Sequence, residues 1–88
     1  MHERALMEDL MREIDAVARA DGACRVAKIE VRLGALSHFT PEHFREHFLD
    51  ASRGTLAEGA VVTATLATSI DDPKASGVVL ESVEVEVP

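Results

Sequence analysis

The first clear signal in the sequence is a run in which apolar and charged side chains alternate, Arg25-Val26-Ala27-Lys28-Ile29-Glu30-Val31-Arg32-Leu33-Gly34. Successive side chains of a β-strand point to opposite faces, so a period of two predicts a half-buried strand over residues 25–33. Its apolar face would comprise Ala27, Ile29, Val31 and Leu33, and Gly34 is placed to end it. This face needs a covering layer.

Two amphipathic helices are predicted around this strand. Residues 4–20 carry apolar side chains at three- and four-residue steps, and Gly22 is placed as a stop. Thr40-Pro41-Glu42 is typical of a helix start, with a hydroxyl N-cap, a proline at the first position and an acid in the first turn. The predicted apolar positions are Leu6, Met7, Leu10, Met11, Ile14, Val17 and Ala18 in the first helix, and Phe44, Phe48, Leu49 and Ala51 in the second.

Two further strands complete the expected fold. Residues 60–67 are rich in Val and Thr, and residues 78–87 alternate except near Glu81 and Ser82, where a bulge is expected. The order αβαββ predicts a small two-layer α+β domain spanning residues 1–88, with two helices on a three-stranded, mainly antiparallel sheet. The last two strands are expected to pair as an antiparallel hairpin.

Composition and charge exclude several classes of function. The chain has 88 residues, is 47% hydrophobic and carries a formal charge of −7. This net negative charge repels phosphate groups, so nucleic acid and anionic membrane are disfavoured as partners. No apolar run approaches the roughly 18 residues of a membrane span, so a cytoplasmic location is expected. The single cysteine, Cys24, rules out an intramolecular disulfide and a CxxC motif, and we expect it to be a small buried hydrophobe.

The first three residues, Met1-His2-Glu3, can chelate a metal ion. The Met1 amine, the His2 backbone nitrogen and the His2 imidazole Nδ1 would close two chelate rings in a planar arrangement. Tetragonal nitrogen sites of this kind suit Ni(II) and Cu(II). Glu3 would add a carboxylate ligand, or it would only complement the dipole in the first turn of the helix.

The ordered motifs resemble the HypA/HybF family of hydrogenase nickel-incorporation proteins. The resemblance is carried by five pieces of sequence in the family's order: Met1-His2-Glu3 with Leu6; residues 26–37; Pro41-Glu42; residues 54–60; and residues 82–86. The family carries a zinc domain with two CxxC pairs between its second and third strands. Here a short segment, residues 68–76, stands at that position, so no structural zinc is expected.

The resemblance implies a non-enzymatic nickel metallochaperone. Such a protein would capture Ni(II) through Met1, His2 and Glu3 and deliver it during maturation of [NiFe] hydrogenase, and in some cases of urease. The implied partners are a nickel-handling GTPase and the hydrogenase large-subunit precursor. The alternative is a metal-independent interaction or scaffold module that kept the fold, lost the delivery role and binds a partner by strand addition.

Three further histidines are weighed as ligands. His43 and His47 lie one helical turn apart, which is a metal-capable spacing. No third ligand is evident beside them in the sequence, so packing or solvent-facing roles are favoured. His38 is predicted to be a surface histidine. No nucleophile or acid–base pair supports an enzyme.

Overall fold

The computed structural model describes the backbone of residues 2–88 and the side chains from residue 3 onward. Five elements follow one another in the predicted order αβαββ, which confirms a small α+β domain of two helices and three strands. Their bounds are α1 His2–Ala20, β1 Arg25–Leu33, α2 Pro41–Ala51, β2 Val61–Leu66 and β3 Val78–Glu86.

The sheet is mixed, with the strand order β2-β1-β3. β1 lies in the middle, parallel to β2 and antiparallel to β3. The predicted hairpin between the last two strands is therefore wrong. The physical reason is that α2 returns the chain to the start of the sheet, which makes β1-α2-β2 a parallel crossover unit. β3 then pairs with the remaining free edge of β1.

Residues 67–77 carry the chain from β2 to β3 around the end of β1. Ala67 N donates to Leu33 O at 2.8 Å, Gly34 N donates to Gly77 O at 2.9 Å, and Leu36 N donates to Ala75 O at 2.7 Å. The backbones approach so closely that a Cβ at Gly34 would lie 2.1 Å from the Ala75 carbonyl oxygen. We call residues 67–77 the crossing segment; it contains residues 68–76.

Two bulges interrupt the pairing of β1 with β3. Glu30 pairs with Ser82 and Val31 with Leu80, so Glu81 is the extra residue, as predicted. A second shift lies between Val26 and Lys28. This shift changes which side chains face the core at the start of β1, where Val26 is fully buried and Ala27 only half-buried.

The helices and the inner face of the sheet share one core. α1 packs against β3, α2 packs against β2, and the helices contact each other. The buried apolar residues of these elements are Met7, Leu10, Ile14, Ala18, Val26, Ile29, Val31, Leu33, Phe44 and Phe48. Three predictions of burial fail: Leu49 is 60% exposed and Val17 37% exposed, at the margins of their helices, and Cys24 is exposed.

Cys24 is exposed because it lies at the turn before β1, where its Sγ approaches Glu86 O at 3.4 Å. Within residues 2–88, no helix is both long enough and apolar enough to cross a membrane.

Candidate metal centre

A side-chain cluster joins the first turn of α1 to α2. Glu3 Oε1 lies 3.7 Å from His43 Nε2 and 3.6 Å from His47 Nε2, and the two Nε2 atoms are 2.9 Å apart. Among the described residues this is the one group of three or more His, Cys, Asp or Glu side chains close enough to share a metal ion. We call these three residues the Glu–His–His cluster.

The start of α2 fixes the position of His43. Thr40 is the N-cap, and its Oγ1 accepts a hydrogen bond from His43 N at 3.1 Å. Pro41 occupies the first helical position, where its missing N–H costs nothing. Phe39, just before the cap, packs edge-on against Phe44 with ring centroids 5.6 Å apart, which is a hydrophobic staple.

The two imidazoles are held against an apolar wall. His43 and His47 are one turn apart, so their rings meet, with centroids 4.5 Å apart. Both rings also pack on Phe39, which is buried, at 5.7 Å and 6.0 Å. The packing limits the ring orientations that the pair can adopt.

α1 brings the carboxylate to this pair. Glu3 lies one turn before Met7, on the side of α1 that continues through the buried residues Leu10 and Ile14. Its side chain is 31% exposed, and no lysine or arginine nitrogen among the described residues lies within 4.0 Å of it. The neighbouring Arg4 pairs with Glu8 instead, at 3.3 Å.

The residues predicted from the sequence divide into three groups. Met1 lies outside the described residues, and the His2 side chain does too, although the His2 backbone begins α1. Glu3 lies in the Glu–His–His cluster. His43 and His47, favoured as packing or solvent-facing residues, do pack on Phe39, but they also contact Glu3, a third potential ligand that the sequence analysis assigned to the N-terminal chelate instead.

A sequence signal for that third ligand did exist. Residues 3, 7, 10 and 14 share one helical face, so Glu3 falls on the stripe that α1 turns toward the core. An acid on an apolar stripe is a candidate for a specific partner. Imidazole nitrogens with a carboxylate oxygen form a ligand set that suits Zn(II), Co(II) and Ni(II).

Two acidic residues of β3 pair with basic residues of β1. Arg25 makes a two-pronged contact with Glu86, with both N–O distances 3.0 Å. These hydrogen bonds and the accompanying charge attraction lower the pKa of Glu86 and raise the pKa of Arg25. Lys28 approaches Glu84 at 3.9 Å. Both pairs join β1 to β3 on the solvent side of the sheet.

Comparison with known proteins identifies the family. Residues 1–71 match the family model described as HypA, hydrogenase/urease nickel incorporation, metallochaperone. The hydrogenase maturation factor HypA of Chlorobium limicola is 42% identical over 60 residues, which cover 68% of this chain and 52% of that protein. The corresponding factor of Chlorobium luteolum is 36% identical over 77 residues, covering 88% and 61%.

The fold comparison agrees with the sequence comparison. The solution structure of the Ni metallochaperone HypA from Helicobacter pylori superposes with a TM-score of 0.80 at 14% identity, covering 100% of both chains. The chain spans about half to three-fifths of the length of the curated relatives it matches. A metallochaperone binds and transfers a metal and is not an enzyme. On the match to residues 1–71, the chain belongs to the HypA family of hydrogenase/urease nickel-incorporation metallochaperones.

Proposed function

We propose that this protein captures Ni(II) at its N-terminus, through Met1, His2 and Glu3, and delivers it during hydrogenase maturation. The observation that carries the proposal is the family match, which begins at residue 1 and so includes Met1-His2-Glu3. The printed name of that family describes nickel incorporation into hydrogenase and urease. Capture at these three residues and delivery by this chain are the steps that we add.

The start of α1 supports the chelate chemically. The helix begins at His2, and the first N–H groups of a helix have no acceptor within the helix. The backbone nitrogen of His2 can therefore lose its proton and bind a metal without breaking a helical hydrogen bond. The positive end of the helix dipole favours the resulting negative charge. The net charge of −7 further favours binding of a cation.

Glu3 has two potential uses in this proposal. Its backbone follows His2 directly, while its carboxylate reaches toward His43 and His47 on α2. A bound ion at His2 would draw that carboxylate toward the N-terminus. Glu3 would thus connect nickel capture at the start of α1 to the position of α2.

Delivery of nickel would require partner proteins with functions that the sequence of this chain does not supply. It contains no G-x-x-x-x-G-K-[ST] phosphate-binding loop, so a GTPase that acts with it would be a separate chain. We propose that such a nickel-handling GTPase and the hydrogenase large-subunit precursor are the partners. Residues 68–76, within the crossing segment, stand where longer family members would carry the zinc domain.

The alternative is a metal-independent interaction module. It is favoured by one observation: β2 lies at an edge of the sheet and exposes Val61 and Leu66, at 61% and 48%. An edge strand of this kind can accept a strand from a partner. In that case nickel would bind equally well with or without the N-terminal ligands.

Calorimetric titration of Ni(II) separates the two functions. His2→Ala should lower the nickel affinity at least about 100-fold, since even partners outside the coordination sphere cost about 10–100-fold. The matched control is His38→Asn, because His38 is an exposed histidine with φ of 68° and Asn tolerates that backbone conformation. Equal affinities for the native chain and both variants would refute N-terminal capture.

A further inference from the structure

We propose that Glu3, His43 and His47 form a second metal site, which binds a divalent transition metal in four-coordinate tetrahedral geometry. This site uses neither the Met1 amine nor His2, so it goes beyond the proposed function. It would take Zn(II) or Co(II) with two imidazoles, one carboxylate and a water molecule. The fourth, open position distinguishes it from a closed structural zinc site.

The spacing of the three ligand atoms fits a metal ion. Their separations are 2.9, 3.6 and 3.7 Å, and the circle through three points at these distances has a radius of about 2.0 Å. Zinc–nitrogen and zinc–oxygen bonds are about 2.0–2.2 Å long. An ion placed close to the centre of the triangle would therefore reach all three atoms with shifts of a few tenths of an ångström.

The same distances favour tetrahedral over planar coordination. Donors at about 2.05 Å are separated by about 3.3–3.4 Å in a tetrahedron, close to the mean of the observed edges. A planar complex would place two of any three donors opposite each other, about 4.1 Å apart for the same bond length. None of the three edges is that long. The cluster therefore differs in geometry from the planar N-terminal chelate.

The surroundings support a formed site rather than a chance approach. Phe39 backs both imidazoles, and the Thr40 cap holds the turn that carries His43. Glu3 is free of lysine and arginine partners among the described residues, so a metal need not displace an ion pair.

Solvent reaches the three ligands. The side chains of Glu3, His43 and His47 are 31%, 39% and 41% exposed. An open groove of about 660 Å³ between α1 and α2 extends to His47. A water molecule or an incoming ligand atom can therefore occupy the fourth coordination position.

Glu3 couples this site to the N-terminal one. Its carboxylate cannot serve an ion at His2 and an ion between His43 and His47 in the same geometry. Glu3→Gln should therefore weaken metal binding at both sites, whereas His2→Ala should weaken it at the N-terminal site alone.

Titration with Co(II), followed by visible absorption, tests the proposal. Four-coordinate Co(II) absorbs intensely in the visible range, whereas six-coordinate Co(II) absorbs weakly. The native chain should develop the intense bands with one equivalent, and Zn(II) should abolish them by displacement. His43→Ala and His47→Ala should each lower the Co(II) affinity at least about 100-fold.

The controls separate this site from the N-terminal one. His2→Ala should keep the four-coordinate spectrum, and so should His38→Asn. Circular dichroism of the metal-free variants reports whether they fold. Glu3→Gln changes α1 and not α2, so a loss of Co(II) affinity in this variant would be independent evidence for the site. The proposal is wrong if the native chain gives only the weak six-coordinate spectrum, which would leave the cluster a contact between α1 and α2 that binds no metal in four-coordinate geometry. It is equally wrong if His2→Ala abolishes the intense bands.

Discussion

Gly34→Ala tests the path of the crossing segment over the end of β1. The new Cβ would lie 2.1 Å from the Ala75 carbonyl oxygen, 2.5 Å from its carbon and 2.7 Å from Lys74 O. These are backbone atoms, so no side-chain rotation relieves the clash. Gly34 does not have a positive φ, so the effect would come from lack of space and not from backbone conformation.

The size of the effect follows from two contributions. Forcing extra volume into a packed site costs about 1–3 kcal/mol. Moving the segment away also weakens the hydrogen bonds Gly34 N to Gly77 O and Leu36 N to Ala75 O, worth about 0.5–1.5 kcal/mol each. We expect the free energy of unfolding to fall by about 2–4 kcal/mol, a large share of the roughly 5–15 kcal/mol typical of a small domain.

Thermal and urea denaturation measure this loss. For a domain of this size each kcal/mol shifts the Tm by about 4–8 °C, so Tm should fall by at least about 8 °C. The matched control is Gly77→Ala, where the added Cβ would meet only Lys74 O, at 3.8 Å. That variant should stay within about 0.5 kcal/mol of the native chain. If Gly34→Ala were as stable as Gly77→Ala, the described crossing over β1 would be wrong.

Three further predictions concern the helix cap, an ion pair and the metal ligands. Thr40→Ala should cost about 1 kcal/mol of stability by removing the cap that accepts from His43 N, whereas Thr40→Ser should retain most of it; equal denaturation midpoints for the two variants would contradict this role. Glu86 has a lowered pKa through Arg25, so its contribution is present above the ordinary carboxyl pKa and is lost as the pH falls through the lowered value. The Tm difference between the native chain and Glu86→Gln should therefore be largest near neutral pH and disappear in acid, and a pH-independent difference would show that the charge is irrelevant. Nickel affinity should fall steeply from pH ~7.5 to ~6, because a free α-amine and an imidazole titrate near ~7.8 and ~6.5, and a flat calorimetric response would exclude these ligands.

The order of elements could be predicted from the sequence because each element carries a local signal. The alternation over residues 25–33 and the Thr40-Pro41 helix start depend only on side-chain periodicity and capping, which act within one or two turns. The bulge at Glu81 also left a local trace, as a break in the alternation. These local preferences predict the elements correctly because the tertiary structure favours the same helices and strands.

Strand pairing could not be predicted in the same way. The sequence shows that residues 67–77 join two strands, but the choice between a hairpin and a crossing depends on which edge of β1 is free after β2 has paired. The observed path brings Ala75 against Gly34, and the two residues are distant in sequence. The burial of Val26 in place of Ala27 likewise depends on a bulge set by the partner strand.

The metal centre shows the same division between local and distant information. The spacing of His43 and His47 was visible in the sequence, whereas their approach to Glu3 depends on how α1 packs against α2. The position of Glu3 on the core-facing stripe of α1 gave a hint of this contact, but not the identity of its partners. The Met1 and His2 ligands remain predictions from the motif and the family.

The most direct test of nickel capture is the Ni(II) affinity of a chain with one extra residue ahead of Met1. The extension moves the α-amine away from His2 and leaves every described side chain unchanged. We predict that the extended chain binds Ni(II) at least about 100-fold more weakly than the chain that begins with a free Met1 amine. Equal affinities would contradict capture of nickel by the Met1 amine and His2.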